Sequence, residues 1–315
     1  MDFHDQCARW TLLWFLLLMA QTGCESADGP DTEVEDSADP SGVVDVVMLR
    51  EKALTESSGL AISLRKPGHF WTHNDSGSKA CLFAFDSDGN RTAVRKIKSV
   101  KANDWEDLCG YDDGGVSRLL IADCGDNDRQ RDSIDLHFIA EPDPTKSDSI
   151  SSVHTMEVRY PDGARDCEAV AVDTVRRKIV LVTKSILPNC GVYVVPLPTW
   201  NDLPTHSNVT AKRMGSLPLP MVTAMDIDPV SGDVWLVSYF QAFQFRAEDR
   251  ESSLAVQMAQ LPIAHELPRW RQIEAVAIDA NQDVWVTSEG NPAPLGRLPQ
   301  SSRTESDTQP NKRPS

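Results

Sequence analysis

Short apolar runs recur through residues 55–290 in a fixed order: a strand-like run, a turn, then a second run that ends in polar residues. The five copies are Ser58-Gly-Leu-Ala-Ile-Ser63 with Phe70-Trp-Thr-His-Asn-Asp75, and Glu106-Asp-Leu-Cys-Gly-Tyr111 with Leu119-Leu-Ile-Ala-Asp123. Then come Glu168-Ala-Val-Ala-Val-Asp173 with Ile179-Val-Leu-Val-Thr-Lys184, Thr223-Ala-Met-Asp-Ile-Asp228 with Val234-Trp-Leu-Val-Ser-Tyr239, and Glu274-Ala-Val-Ala-Ile-Asp279 with Val284-Trp-Val-Thr-Ser-Glu289. Their first residues are spaced by 48, 62, 55 and 51. Between the runs lie hairpin turns such as Asp112-Asp-Gly-Gly115 and Pro229-Val-Ser-Gly232. Weaker strands follow most copies, as in Leu82–Phe85 and Gly191–Val195. Four short strands per unit of about 50 residues, with no long helical period, predict an all-β β-propeller. A β-sandwich accounts less well for the regular spacing.

The fifth unit runs short after its second strand, and Val43-Val-Asp-Val-Val-Met-Leu49 is left over at the other end. That N-terminal strand is expected to supply the last strand of the final blade and close the ring. The count is five blades, or six if the 62-residue spacing hides extra strands. The propeller domain is placed at 43–298 and a disordered tail at 299–315.

The first 24 residues read differently. Thr11–Ala20 is a block too short to span a bilayer, and small residues follow it. It fits a signal peptide. Gln21-Thr-Gly-Cys24 resembles a bacterial lipobox, which makes Cys24 the expected lipidation site; an ordinary cleaved signal is the alternative. Residues 25–42 hold seven acidic residues and no basic one, with Ser and Pro but no apolar period, and are expected to be a solvated tether. The chain is thus expected outside the cytoplasm, anchored to the envelope by an N-terminal lipid, or secreted if Cys24 is not lipidated.

Charge sharpens this reading. The net charge is −16, of which −9 belongs to residues 43–297. With 40% hydrophobic and 25% charged residues, wholesale disorder is excluded. So acidic a surface is a poor partner for nucleic acid, which needs Lys and Arg on its phosphates. Seven Cys stand at 7, 24, 81, 109, 124, 167 and 190, with no Cys-x-x-Cys spacing to support a zinc ribbon. One or two disulfides among Cys81, Cys109, Cys124, Cys167 and Cys190 are compatible with export, with pairing left open.

Ser58-Gly-Leu-Ala, Trp71-Thr-His-Asn-Asp-Ser-Gly77, Asp104-Trp-Glu-Asp107, Ala122-Asp-Cys-Gly-Asp-Asn127, Tyr160-Pro-Asp-Gly163 and Glu274-Ala-Val-Ala together resemble a family of exported bacterial propeller proteins. That family is distantly similar to the calcium-dependent propeller phytases and to the regucalcin/gluconolactonase group. The resemblance covers about residues 45–297. It implies the fold and carries no settled activity, and the tight calcium–phosphate pattern of the phytases is not visible.

The first strand of each blade lines a propeller's axis, so equivalent residues form rings. One ring is Ser58, Glu106, Glu168, Thr223 and Glu274. Two residues earlier stand Glu56, Asp104, Asp166, Met221 and Gln272, and the ends of the second strands align as His73, Asp123, Lys184, Tyr239 and Glu289. Converging carboxylates repel unless a cation joins them or some stay protonated. Oxygen-only ligands suit Ca2+. A Ca2+ site is therefore expected from Glu106, Glu168 and Glu274, aided by Asp123 or Glu289. The plainer reading has these Glu capping backbone N–H groups, pairing with Lys184 or facing channel water.

Asp123-Cys-Gly-Asp126-Asn127-Asp128 reads first as a tight Asx-bonded turn, because the bidentate Glu of an EF-hand loop is missing. Trp71, Trp235 and Trp285 read as inter-blade packing. There is no Gly-x-Ser-x-Gly elbow, and Ser58 beside His73 is the one conceivable nucleophile pair. Two functions remain open. One is a monomeric binding module taking a small molecule or envelope component at the mouth. The other is a metal-dependent phosphoesterase or lactonase, with Asp104 or His73 as base and Lys184 offsetting negative charge.

Overall fold

The structure is a computed structural model that describes residues 44–299. The expected signal segment, Cys24 and the tether lie outside the described residues, as does the tail beyond Pro299.

Strand β1 (Val44–Leu49) comes first in the chain and last in the fold. The first blade is β2 (Ser57–Ile62), β3 (His69–Asn74), β4 (Cys81–Asp86) and β5 (Arg91–Ile97). The second opens with β6 (Trp105–Asp112), β7 (Ser117–Asp123) and β8 (Ile134–Ala140). The chain then lays the two-residue β9 (Ser149–Ile150) parallel to β5 before returning as β10 (His154–Arg159). The third blade is β11 (Cys167–Asp173), β12 (Lys178–Thr183) and β13 (Cys190–Pro196). From it β14 (His206–Thr210) crosses to lie parallel to β10, and β15 (Lys212–Leu217) completes the third sheet.

The fourth blade is β16 (Val222–Ile227), β17 (Val234–Ser238), β18 (Gln241–Phe245) and, after helix α1 (Leu254–Met258), β19 (Ile263–Glu266). The fifth is β20 (Ile273–Ile278), β21 (Val284–Ser288) and β22 (Ala293–Arg297). Its outermost strand is β1, paired antiparallel to β22 from Val44↔Arg297 to Leu49↔Ala293. The ring is five-bladed and closes through its N-terminal strand, as the leftover run predicts. The long spacing holds no sixth blade: the extra residues form β9 and its loops, which cover an outer edge that would otherwise be open to pairing.

Five apolar clusters fill the five gaps between neighbouring blades. Trp71 is buried between the first two blades, Trp235 between the fourth and fifth, and Trp285 meets Phe70 across the closing gap with ring centroids 4.9 Å apart. Trp105, beside the acidic pair in sequence, is also buried in the first gap. The five cysteines in the described residues are buried and unpaired, so the allowance for one or two disulfides is not taken up.

The inner strands β2, β6, β11, β16 and β20 stand side by side around the axis. Asp107 of β6 ties three of them together. Its buried carboxylate accepts from Leu108 N at 2.9 Å, Val170 N at 2.9 Å and Met225 N at 3.3 Å. One side chain thus satisfies backbone donors of three blades, the kind of accounting a closed ring requires.

Candidate functional site

Every inner strand pairs with its neighbour through a register shift, and the shifts fall at one place. They lie between Ser57 and Gly59, Trp105 and Asp107, Cys167 and Ala169, Val222 and Ala224, and Ile273 and Ala275. The unpaired residue is Ser58, Glu106, Glu168, Thr223 or Glu274. A bulge re-aims a side chain out of the strict alternation of a strand. Five bulges therefore deliver five side chains to one end of the channel.

Their fates differ. Ser58 Oγ donates to the Glu106 carbonyl at 3.2 Å and Thr223 Oγ1 to the Ile273 carbonyl at 2.9 Å, so each hydroxyl ties its blade to the next. The three glutamates are buried. Glu168 accepts from Lys184 Nζ at 3.0 Å. The same Nζ lies 3.2 Å from Tyr239 OH, which donates to Glu274 Oε1 at 3.3 Å. Gln272 Nε2 then bridges Glu274 at 3.1 Å and Glu289 at 3.0 Å. This half of the mouth is a continuous hydrogen-bonded chain. Burial raises Glu168 to about 8 against the pull of Lys184. Burial, then the charge of Glu289, raises Glu274 to about 7. Burial acts to lower Lys184, but Glu168 and Tyr239 outweigh it and hold the ammonium above its ordinary value.

The other half is different. Asp75, Asp104 and Glu106 bring one carboxylate oxygen each to within 4.8 Å of one another. Asp75 and Asp104 are half-buried. Burial, then the charge of Asp75, pushes Asp104 up to about 6. Burial, then Glu168, Asp75 and Asp104, raises Glu106 well above the glutamate range. Gly125 forms the wall behind them: a Cβ there would stand 2.5 Å from Asp104 Cγ and Oδ2, and would also overlap Glu106 Oε1. Three oxygen donors of one sign, crowded against a residue with no side chain, fit a hard cation such as Ca2+.

Asp75 is not among the residues the repeat alignment sends to this ring. Backbone hydrogen bonds show why. Asp75 N, Gly125 N, Lys184 N, Tyr239 N and Glu289 N donate to the carbonyls of Glu56, Asp104, Asp166, Met221 and Gln272. The structural equivalents of Lys184 are therefore Asp75 and Gly125, where the alignment of apolar runs gives His73 and Asp123, two residues early in each blade. The Asp75 signal lay in Trp71–Gly77, whose Asn-Asp-Ser-Gly ending marks a strand end and a turn.

His73 and Asp123 stand apart from the acidic trio. Asp123 is fully buried, accepts from Asn103 N at 2.9 Å and Asp104 N at 3.3 Å, and pairs with Arg131 at 2.9 Å. It holds the turn that carries Asp104. His73 Nδ1 faces the Asn74 carbonyl at 3.1 Å, and its Nε2 is buried against Gly59. Burial lowers its pKa. Ser58 spends its hydroxyl on Glu106, so the two do not form a nucleophile–base pair. The 123–128 segment is the expected turn, with Asp126 accepting from Gln130 N at 2.9 Å and Arg131 N at 2.8 Å.

No family profile matches the chain, and neither does any curated protein. Solved structures with similar architecture include a chain of a nidogen/laminin complex (13% identity, 75% of this chain and 73% of that one, TM-score 0.45). Another is a gluconolactonase from Xanthomonas campestris (12%, 90% and 99%, TM-score 0.41). A third is a glucose dehydrogenase (10%, 81% and 99%, TM-score 0.47).

Proposed function

We propose that this propeller is a binding module whose channel mouth holds a divalent cation, Ca2+ by donor chemistry, and presents it to an oxygen-rich or anionic small molecule or envelope component. The observation that carries the reading is the Asp75, Asp104 and Glu106 cluster against Gly125. Lys184, held charged across the mouth, is placed to receive the anionic part of the ligand. In this proposal the module sits on the envelope through a lipid on Cys24 and works as a monomer. Calorimetric titration with Ca2+ tests it, using the wild-type protein, an Asp75→Asn/Asp104→Asn/Glu106→Gln variant and a Glu168→Gln/Glu274→Gln variant. Saturable binding lost only in the first variant is expected. Loss only in the second would move the site to the hydrogen-bonded half, and no wild-type binding would end the cation reading.

A hydrolase is the second reading, and the half-buried Asp104 carboxyl at the mouth favours it, because a carboxylate there could take a proton from water beside the cation. A bound cation would polarise the substrate oxygen. Turnover of phosphoester or lactone substrates that disappears in Asp104→Asn would decide for it.

A further inference from the structure

A second concave site opens at the far end of the channel. The acidic mouth lies where the inner strands begin; a cavity of about 530 Å3 lies where they end, lined by Leu60, Ile62, Val172 and Ile278 among others. Four residues along a strand separate the bulge level from the cavity wall, as from Ser58 to Ile62, Glu168 to Val172 and Glu274 to Ile278, which is roughly 13 Å. The volume is in the range of small-molecule sites, and the wall mixes aliphatic with polar and charged residues. The β2–β3, β11–β12 and β16–β17 turns around this end also carry the exposed aliphatic residues Leu64, Val175 and Val230.

One charged group on the wall stands out. Asp226 of β16 is half-buried and lines the cavity. Its two oxygens accept from Ile227 N and Ile278 N, both at 2.8 Å. Its nearest charged influence is another acid, Asp228. The other acids of the wall are served locally, Asp112 by Gly115 N at 2.9 Å. Asp173 pairs with Arg176 at 2.7 Å. Asp228 accepts from Val230 N, Ser231 and Gln282. Asp279 accepts from Asn281 N and Asp283 N. Arg176 is further committed to Ser252 and Gln257, and Arg250 stands on the exposed rim.

We infer that this cavity is a second ligand site, for a small organic cation whose ammonium head meets Asp226 and whose apolar body lies against Leu60, Ile62, Val172 and Ile278. The five aspartates of the lining outnumber its two arginines, Arg176 and Arg250, and the two amide bonds hold the Asp226 carboxylate in place. Burial, against those amide bonds, raises Asp226 to about 7, so an ammonium partner also completes a charge that is otherwise only partly developed near neutrality.

Titration of the full chain with 4-phenylbutylamine, 4-phenylbutan-1-ol and 4-phenylbutyrate separates charge from apolar contact. The amine is expected to bind at least about tenfold more tightly than the alcohol, with the carboxylate weakest. Asp226→Asn should bring the amine down to the level of the alcohol and leave the alcohol unchanged. Ile62→Trp fills the cavity from a half-buried wall position and should weaken both. Equal binding of amine and alcohol to the wild-type protein would overturn the inference even if Asp226→Asn failed to fold. Amine binding untouched by Ile62→Trp would place the ligand elsewhere, with the same result.

Discussion

Replacing Gly125 by alanine adds one methyl group at the wall of the acidic trio. The glycine is held in place from both sides: its N–H donates to the Asp104 carbonyl at 3.1 Å, and its own carbonyl accepts from Arg131 at 2.9 Å. The new Cβ would stand 2.5 Å from Asp104 Cγ and Oδ2 and overlap Glu106 Oε1. Ordinary contact is 3.5–4.0 Å, so both carboxyl groups must retreat by about 1 Å. The clash falls on side-chain rather than backbone atoms, so the adjustment is taken up by the two carboxyl groups. The backbone of Gly125 is not in the left-handed region, so alanine fits it, and the loss of unfolded-chain freedom favours the folded state by about 0.4–1 kcal/mol. Fold and donor geometry are thereby separated. The expected outcome is a melting temperature within a few degrees of wild type, at about 2–4 °C per kcal/mol for a domain of this size. Ca2+ affinity should fall about 10- to 100-fold, the range seen when ligand positioning is disturbed. Calorimetry and thermal melting on the same samples measure both. A Gly125→Ala protein that melts normally and binds Ca2+ like wild type would refute the reasoning, because the donors could not then lie where the structure puts them.

Three further outcomes follow from the buried carboxyls and the ring closure. Glu274 is raised from 4.5 to about 7, so the folded state binds the extra proton, and its contribution to stability is fully present below about 4.5 and lost as pH rises to about 7. The loss is about 3 kcal/mol at most, so Glu274→Gln should be stabilised relative to wild type in urea at pH 8 but not at pH 4.5, and an equal difference at both pH values would contradict this. Asp107→Ala strands the buried Val170 and Met225 N–H groups and should cost about 2–5 kcal/mol in guanidinium unfolding, with Asp107→Asn milder because one acceptor remains. Arg297 links β1 to the fifth blade through Asp45 at 2.6 Å and Asp283 at 2.8 Å, partly exposed contacts, so Arg297→Ala should cost about 1 kcal/mol. Deletion through Leu49, by contrast, should abolish cooperative unfolding by stripping β22 of its partner.

Much of the architecture is legible in the chain because its signals are local. Each blade repeats an apolar run, a turn and a second run, and the residue that ends up on each bulge sits at the start of its first run. The leftover strand at 44–49 is visible because the fifth unit is one strand short. What is not legible depends on contacts distant in sequence. Asp75 is displaced from its ring when the first blade is aligned at His73, because β3 stays buried through Asn74 and its polar residues look like the strand's end. Asp107 and Asp226 read as single acids within apolar strands; their partners are backbone N–H groups of other blades, 63 residues away for Val170 and 52 for Ile278. The edge strands β9 and β14 are short parallel additions with no turn signal to announce them.

The pseudo-symmetric ring shows which carboxylates the fold itself can accommodate. At the bulge position, two blades carry hydroxyls that bond the next blade's backbone. At Glu168 and Glu274 the same position is served by Lys184, Tyr239 and Gln272, so the buried acids there have polar partners supplied by the neighbouring strands. Among the described residues the trio has no ion pair of its own: Arg131, which acts on Asp104, is paired to Asp123. Crowded carboxyls must then stay partly protonated, cost stability or share a cation. The fold can place a lysine at this level, since it does so two blades round the ring, yet the structurally equivalent positions hold Asp75 in the first blade and glycine in the second. A lysine at either would relieve the repulsion and fill the space. An aspartate and a glycine there instead leave three carboxyl oxygens converged, the arrangement on which the proposed cation site rests.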